Sequence, residues 1–215
     1  MSPLAGALAT LLAVALYGAL HSLLASLRAK ALARRTLGPA SDRLYRLVYN
    51  LVGALTLLPV LAIPARQPGL LLYRVAWPWS GLLLAGQALA VLIILVGLLQ
   101  TGLAGFLGLR QLLVGEPEGP PRLQVTGLYR WVRHPLYTAG LAFLWLSPLM
   151  TTSTLALFVG LSLYIYIGSL FEERRLIRDF GQAYREYQRR VPRLLPRPGR
   201  RWSPPDPDGP PLGEA

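Results

Sequence analysis

The chain has 215 residues, of which 53% are hydrophobic and 15% charged, and its formal net charge is +12. A soluble domain of this size carries about a quarter of its residues as charges, so the deficit excludes an ordinary water-soluble fold and indicates one polytopic membrane domain. The absence of cysteine excludes disulfides, thiolate-zinc sites, iron–sulfur clusters and cysteine nucleophiles, and two histidines, His21 and His134, are too few for a histidine-built metal site.

A helix that crosses a hydrocarbon core about 30 Å thick needs roughly 20 apolar residues. Residues 3–27 supply the first such run, uncharged until Arg28. The run has neither a basic leader nor a small-x-small cleavage site, and it is expected to be a retained helix. Residues 47–65 supply the second, and 78–109 the third. Two further apolar stretches, 135–149 and 152–171, are separated by Ser147, Pro148 and a Thr/Ser cluster. The first is short for a full span. The pair reads as a tight helical hairpin, with Pro135 in the first turn, where its missing N–H costs nothing. The expected fold class is therefore all-α: a polytopic membrane protein of about five transmembrane helices. Residues 1–110 form its N-terminal three-helix part and 111–200 its hairpin and cytoplasmic helix.

The arginines flank these runs. Arg28, Lys30, Arg34, Arg35, Arg43 and Arg46 lie between the first two, and only Arg66 and Arg74 between the second and third. Arg110, Arg122, Arg130 and Arg133 follow the third. By the positive-inside rule this alternation places the N-terminus outside and the C-terminus in the cytoplasm, across a cell inner membrane. The basic residues fall where topology requires them, which argues against a nucleic-acid partner. Gly102, Gly105 and Gly108 lack both the spacing and the preceding strand of a dinucleotide loop and predict close packing or bending. No charged residue sits mid-span and no repeat is visible, which disfavours a transporter.

Residues 172–191 carry Leu176, Phe180, Tyr184, Tyr187 and Val191 at three- and four-residue spacing, which predicts an amphipathic helix along the cytoplasmic interface. Beyond it, 201–215 is proline-rich without apolar periodicity and is expected to be disordered.

Polar residues concentrate beside the membrane in two places. One is Thr126-Gly-Leu-Tyr-Arg-Trp-Val-Arg-His-Pro-Leu-Tyr137, just before the hairpin, and the other is Phe171-Glu-Glu-Arg-Arg, just after it. A hairpin joins its own ends, so Arg133, His134 and Tyr137 are expected beside Glu172 and Glu173. Each alone is readable as an interfacial anchor, an aromatic belt residue or a helix-start carboxylate. Their convergence makes them candidates for function.

Arg133-His134-Pro135-x-Tyr137, with Glu172-Glu173-x-x-Leu176-x-x-x-Phe180-Gly181-x-x-Tyr184-x-x-Tyr187-x-x-x-Val191-Pro192 downstream, resembles the membrane methyltransferase superfamily. That superfamily includes the isoprenylcysteine carboxyl methyltransferases and the bacterial phospholipid N-methyltransferases, and the resemblance covers about residues 122–197. Gly108-Leu-Arg-Gln111, Phe143-x-Trp145-x-x-Pro148-x-Met150-Thr151, His21-Ser22 and Tyr45-Arg-Leu-Val-Tyr49-Asn50 look like the methanethiol S-methyltransferase and NnrU-like group. The chain departs from that group at Ala104-Gly-Phe-Leu, where acidic or histidine residues are usual.

The resemblance implies an S-adenosyl-L-methionine-dependent methyltransferase needing no metal, which moves a methyl group in line from a sulfonium to an acceptor. It implies that Arg133 and His134 meet the donor carboxylate, and Glu172 or Glu173 its amino group or ribose, while Tyr137, Tyr184 and Tyr187 line the donor site. Glu172, Glu173, His21, Arg110 and Gln111 are the candidate catalytic residues, the last three with Asn50 on the acceptor side. The acceptor stays open between a small or lipophilic thiol, a prenylcysteine carboxylate and a lipid amine. A non-enzymatic NnrU-like accessory protein is the reading from another class.

Overall fold

A computed structural model describes residues 2–38, 40–114, 123–199 and 201–202. Helix α1 (Pro3–Ala25) ends where Ser26 turns extended. Ser26 then accepts a hydrogen bond from the Ala29 N–H and so starts the short basic helix α2 (Leu27–Leu37). Helix α3 (Ala40–Arg66) runs back and keeps its course past Pro59 and Pro64, as membrane helices do when neighbours support the freed backbone. Strand β1 (Leu71–Arg74) precedes α4 (Trp79–Thr101), which is followed by the short helices α5 (Leu103–Leu107) and α6 (Leu109–Val114). A single 3-10 turn, Gly127–Arg130, leads to α7 (Pro135–Trp145), strand β2 (Leu149–Thr151) and the long helix α8 (Thr152–Arg190).

The protein is thus an all-α membrane protein. Among the described residues four helices, α1, α3, α4 and α8, are long and apolar enough to cross a membrane. Helix α7 has 11 residues, about 16 Å at 1.5 Å per residue, roughly half a hydrocarbon core. The chain nevertheless passes from one face of the bundle to the other through it. Strand β2 pairs antiparallel with β1, Leu71 opposite Thr151 and Arg74 opposite Leu149. The α7–α8 turn therefore sits on the same face as the α3–α4 connection.

The third apolar run breaks earlier than its composition suggests. Gly102 and Gly108 both take positive φ (85° and 88°), ending α4 and separating α5 from α6. A Cβ on Gly108 would stand 2.6 Å from the Leu47 backbone nitrogen, so α6 lies against α3 where only glycine fits. The expected surface helix 172–191 is divided. Its first part, to Phe180, continues the last span. Non-helical dihedrals at Gly181 (φ 55°) then break α8, so that the stretch to Arg190 folds back and Gln188 Nε2 reaches Glu173 Oε2 at 3.1 Å.

Helix α1 packs along α8 and α3, and α4 along α7. Helices from both sides of residue 110 therefore share one bundle. Small residues make the close approaches: a Cβ on Gly97 would meet Leu136 at 2.7 Å, and one on Gly86 would meet Leu146 at 2.8 Å. One buried cluster, Val14, Val60, Met150, Leu157 and Phe158, sits among α1, α3 and α8, while leucines such as Leu12, Leu58 and Leu99 face outward. A second cluster, Tyr184, Tyr187 and Val191 with Leu123, Val125, Leu176 and Trp202, packs the opposite end. Trp202 donates its N–H to the Arg130 carbonyl at 2.8 Å, so ordered packing runs past residue 200. Glu116, Arg122 and 203–215 lie outside the described residues.

Candidate functional site

The hairpin brings its two ends together. Glu173, buried at 3% exposure, is the centre of a dense cluster. Its Oε1 accepts from Arg133 Nε (2.7 Å) and lies 2.6 Å from Arg133 Nη2 and 3.3 Å from His134 Nε2. Its Oε2 accepts from Arg193 Nη2 (2.7 Å) and Gln188 Nε2 (3.1 Å). Arg133 Nη1 in turn donates to the Gln188 and Val191 carbonyls at 3.0 and 2.5 Å. Backbone bonds continue the clamp: Arg133 N–H to the Pro192 carbonyl (2.9 Å) and His134 N–H to that of Arg193 (3.1 Å). The Thr138 hydroxyl donates to the Leu194 carbonyl (2.6 Å). A buried carboxylate persists when it is paired and hydrogen-bonded on every side, and this one is.

Glu172 has a different environment. One residue is about 100° of helix rotation, so Glu172 lines a cavity of about 480 Å³ while Glu173 lies behind its wall. Its side chain is 44% exposed, and its Oε2 is 3.5 Å from His134 Nδ1. The Tyr137 hydroxyl faces it, and the Tyr137 ring stacks on His134 with centroids 5.3 Å apart and planes 8° from parallel. His134 thus bridges the two carboxylates, one nitrogen toward each.

Burial by itself would lower the His134 pKa, but the hydrogen bonds and charges of Glu172 and Glu173 outweigh it and hold the imidazole above its ordinary value of 6.5. A group whose pKa rises on folding stabilises the fold fully below its unfolded pKa, and that contribution is lost as pH rises through the folded pKa. The melting temperature is therefore expected to fall as pH rises from about 6.5 through the raised pKa, and His134→Gln should flatten that part of the profile. A wild-type melting temperature that stays level across the interval would show that His134 does not change charge there.

The wall also includes Arg133, Tyr129, Tyr184, Tyr187, Gln124, Arg46, Phe106 and one face of α8. Burial and the Glu172 charge push the Tyr129 phenol up to about 12, so it remains a neutral donor. Tyr187 donates to the Tyr129 carbonyl at 2.5 Å, and Tyr184 and Tyr187 are each 1% exposed. Arg175, Leu176, Asp179 and Phe180 follow Glu172 at i+3, i+4, i+7 and i+8, the spacing of one helix face. The sequence placed Arg175 in the second polar cluster without a role and left Asp179 aside, although that spacing was available to find both. Tyr129 and Arg46 stand within the polar cluster and motif read from the sequence but without a role there, and nothing in the sequence signalled Gln124; the fold brings all three to the wall.

The other sequence candidates lie apart from this wall. His21 sits on α1 with its Nε2 2.5 Å from the Tyr49 hydroxyl, in a group of rings with Tyr17 and Tyr164. None of these rings is on the cavity wall. Asn50 donates to the carbonyl of Phe106 at 2.8 Å. On α6, Arg110 is exposed and Gln111 buried, and neither is on the cavity wall.

The sequence profile of the NnrU protein family matches residues 9–201. The chain belongs to the NnrU family. This NnrU-family protein is 42% identical over 84 residues to methanethiol S-methyltransferase 1 of Bradyrhizobium diazoefficiens, covering 39% of the chain and 30% of that protein. It is 41% identical over 96 residues to methanethiol S-methyltransferase of Mycobacterium tuberculosis, covering 43% and 39%. A longer match, 34% identical over 148 residues, joins it to methanethiol S-methyltransferase of a Pseudomonas species, covering 66% and 55%. These alignments span about a third to just over half of those relatives. No solved structure matches the NnrU-family chain.

Proposed function

We propose that this protein is an S-adenosyl-L-methionine-dependent methyltransferase of the membrane, with a small thiol of the methanethiol type as acceptor. The observation that carries the reading is the Glu172–His134–Tyr137 group on the wall of a cavity of about 480 Å³, a volume in the ordinary range for cofactor sites. The names of the relatives support the thiol.

The lining suits such a donor. The half-exposed Glu172 carboxylate offers acceptors for an ammonium group or ribose hydroxyls. Arg46 and Arg175 put positive charge on the same wall for a carboxylate. Tyr137, Tyr184 and Tyr187 offer aromatic faces to a sulfonium. Arg133 and Glu173 spend their hydrogen bonds on each other and on the 188–193 segment, so we assign them to holding His134 in place.

When bound, the donor supplies an activated methyl group: its sulfur–methyl bond breaks as the acceptor sulfur forms a new bond to carbon. The protein's part is to align the two sulfurs and keep water out, an effect of up to about 7–11 kcal/mol in well-oriented systems. His21, beside Tyr49, is the group on the acceptor side able to take the thiol proton, and Asn50 holds the carbonyl of Phe106, a residue of the wall. No contact with donor or acceptor is assigned to Arg110 or Gln111. Lys30, Arg34, Arg46 and Arg175 meet at the face that carries the cavity, so the positive-inside rule supports a cytoplasmic site in an inner membrane, with the N-terminus outside.

The test is headspace detection of dimethyl sulfide from membranes given S-adenosylmethionine and methanethiol, with His134→Ala as control. A signal about 10- to 100-fold above that of the control is expected, the range for losing a hydrogen bond to a charged group. Silence from folded wild-type protein would reject methanethiol and bring the prenylcysteine and lipid-amine acceptors, and the accessory reading, forward.

A further inference from the structure

Beyond Glu172 the cavity wall continues along one face of α8 to a second carboxylate, Asp179. At 1.5 Å per residue the two acids stand about 10 Å apart along the helix, and the backbone between them is helical, ahead of the break at Gly181. Their surroundings differ. Glu172 faces His134 and Tyr137. Asp179 has Leu176 one turn back and Phe180 next in sequence, both on the wall. These two pack with Leu123, also on the wall, against Tyr184 and Tyr187. One part of the cavity is therefore polar and aromatic, and another is an apolar slot with a carboxylate at its edge.

The Asp179 side chain is 33% exposed and its pairings are long: Oδ2 accepts from Arg175 Nε at 3.4 Å, and Oδ1 lies 3.8 Å from Arg178 Nε. Both arginine side chains are well exposed, and exposed pairs of this kind contribute little energy. Each carboxylate oxygen has two lone pairs, so Asp179 keeps acceptor capacity for a ligand in the cavity. Glu173, buried and surrounded by donors, does not.

We propose that Asp179 accepts hydrogen bonds from the adjacent ribose hydroxyls of the methyl donor, with Glu172 left to its ammonium group and the adenine in the slot of Leu123, Leu176 and Phe180. The assignment rests on the methyl-transfer reading and makes Asp179 a specificity residue, selecting a ribonucleoside over its deoxy forms. A carboxylate with two free acceptor positions suits two neighbouring hydroxyls, and acid-to-ribose pairing is a general device of nucleoside recognition. The spacing fits as well. An extended donor separates its amino group from its ribose hydroxyls by on the order of 8–10 Å at ordinary bond dimensions, close to the separation of the two acids along α8.

The test uses the full chain in nanodiscs and calorimetry with S-adenosylhomocysteine and its 2′-deoxy and 3′-deoxy forms. This product lacks the sulfonium charge, which keeps simple charge effects of a substitution small. Wild-type protein is expected to bind the deoxy forms about 10- to 100-fold more weakly, the range for losing a hydrogen bond to a charged group. Asp179→Ala should weaken S-adenosylhomocysteine by a similar factor and bind all three ligands within about threefold of one another, because the two losses are one interaction. A melting temperature within about 2 °C of wild type verifies the fold of the variant, since only exposed pairs are lost. A penalty for the missing hydroxyl that is as large in Asp179→Ala as in wild type would overturn the assignment alone, as would the absence of any penalty in wild type. No binding of S-adenosylhomocysteine to folded wild-type protein would overturn the methyl-transfer reading and the assignment with it.

Discussion

Glu173→Ala is expected to destabilise the protein by about 3–5 kcal/mol, the cost of breaking a buried ion pair from one side. For a chain of this length that corresponds to a melting temperature lower by about 10 °C or more. The carboxylate removed is the shared acceptor of Arg133, Arg193 and Gln188 and a neighbour of His134. Without it two guanidinium groups face each other across a buried space, and the 188–193 segment loses its anchor. Detergent-solubilised protein followed by intrinsic fluorescence on heating is the measurement. A melting temperature within about 2 °C of wild type would show that the cluster does not hold the C-terminal end of the bundle.

Glu172→Gln should behave in the opposite way. Its carboxylate is on the cavity wall and 44% exposed, and the backbone there is helical, well ahead of the break at Gly181. The melting temperature should stay within about 2 °C of wild type. Affinity for S-adenosylmethionine, measured by calorimetry, should drop by about 10- to 100-fold, the range for losing a hydrogen bond to a charged group. Unchanged affinity would remove Glu172 from the donor site. A loss of stability as large as that of Glu173→Ala would mean that the two neighbours act as one structural unit.

That division between adjacent glutamates was half legible in the sequence. Helical spacing alone sends Glu172 and Glu173 in directions about 100° apart, and the face continuing from Glu172 through Arg175 and Asp179 could have been drawn in advance. Which of the two faces is the cavity depends on Gln188 and Arg193, which reach Glu173 because the chain turns back at Gly181 and again leaves the helix at Val191. The four long helices were readable because length and apolarity suffice for a membrane span. The β1–β2 ribbon was not, since strands of four and three residues carry no periodicity to detect. The run of the last span past Glu172 to Phe180 was obscured by the change from apolar to amphipathic composition at Glu172, because that change alters what surrounds a helix without altering its backbone.

The clamp between residues 133–138 and 191–194 also fixes when the site comes into being. Helices α1, α3 and α4 can each enter the membrane as they leave the ribosome, since their backbone bonds are satisfied within the segment. The cavity beside Glu172 lacks Tyr184 and Tyr187 from its wall until the chain has turned back at Gly181 and residues 188–193 have closed on Arg133 and Glu173. During synthesis the protein therefore exists first as an inserted bundle with an incomplete pocket, and ligand recognition is acquired in one late step, as residues 184–193 are added.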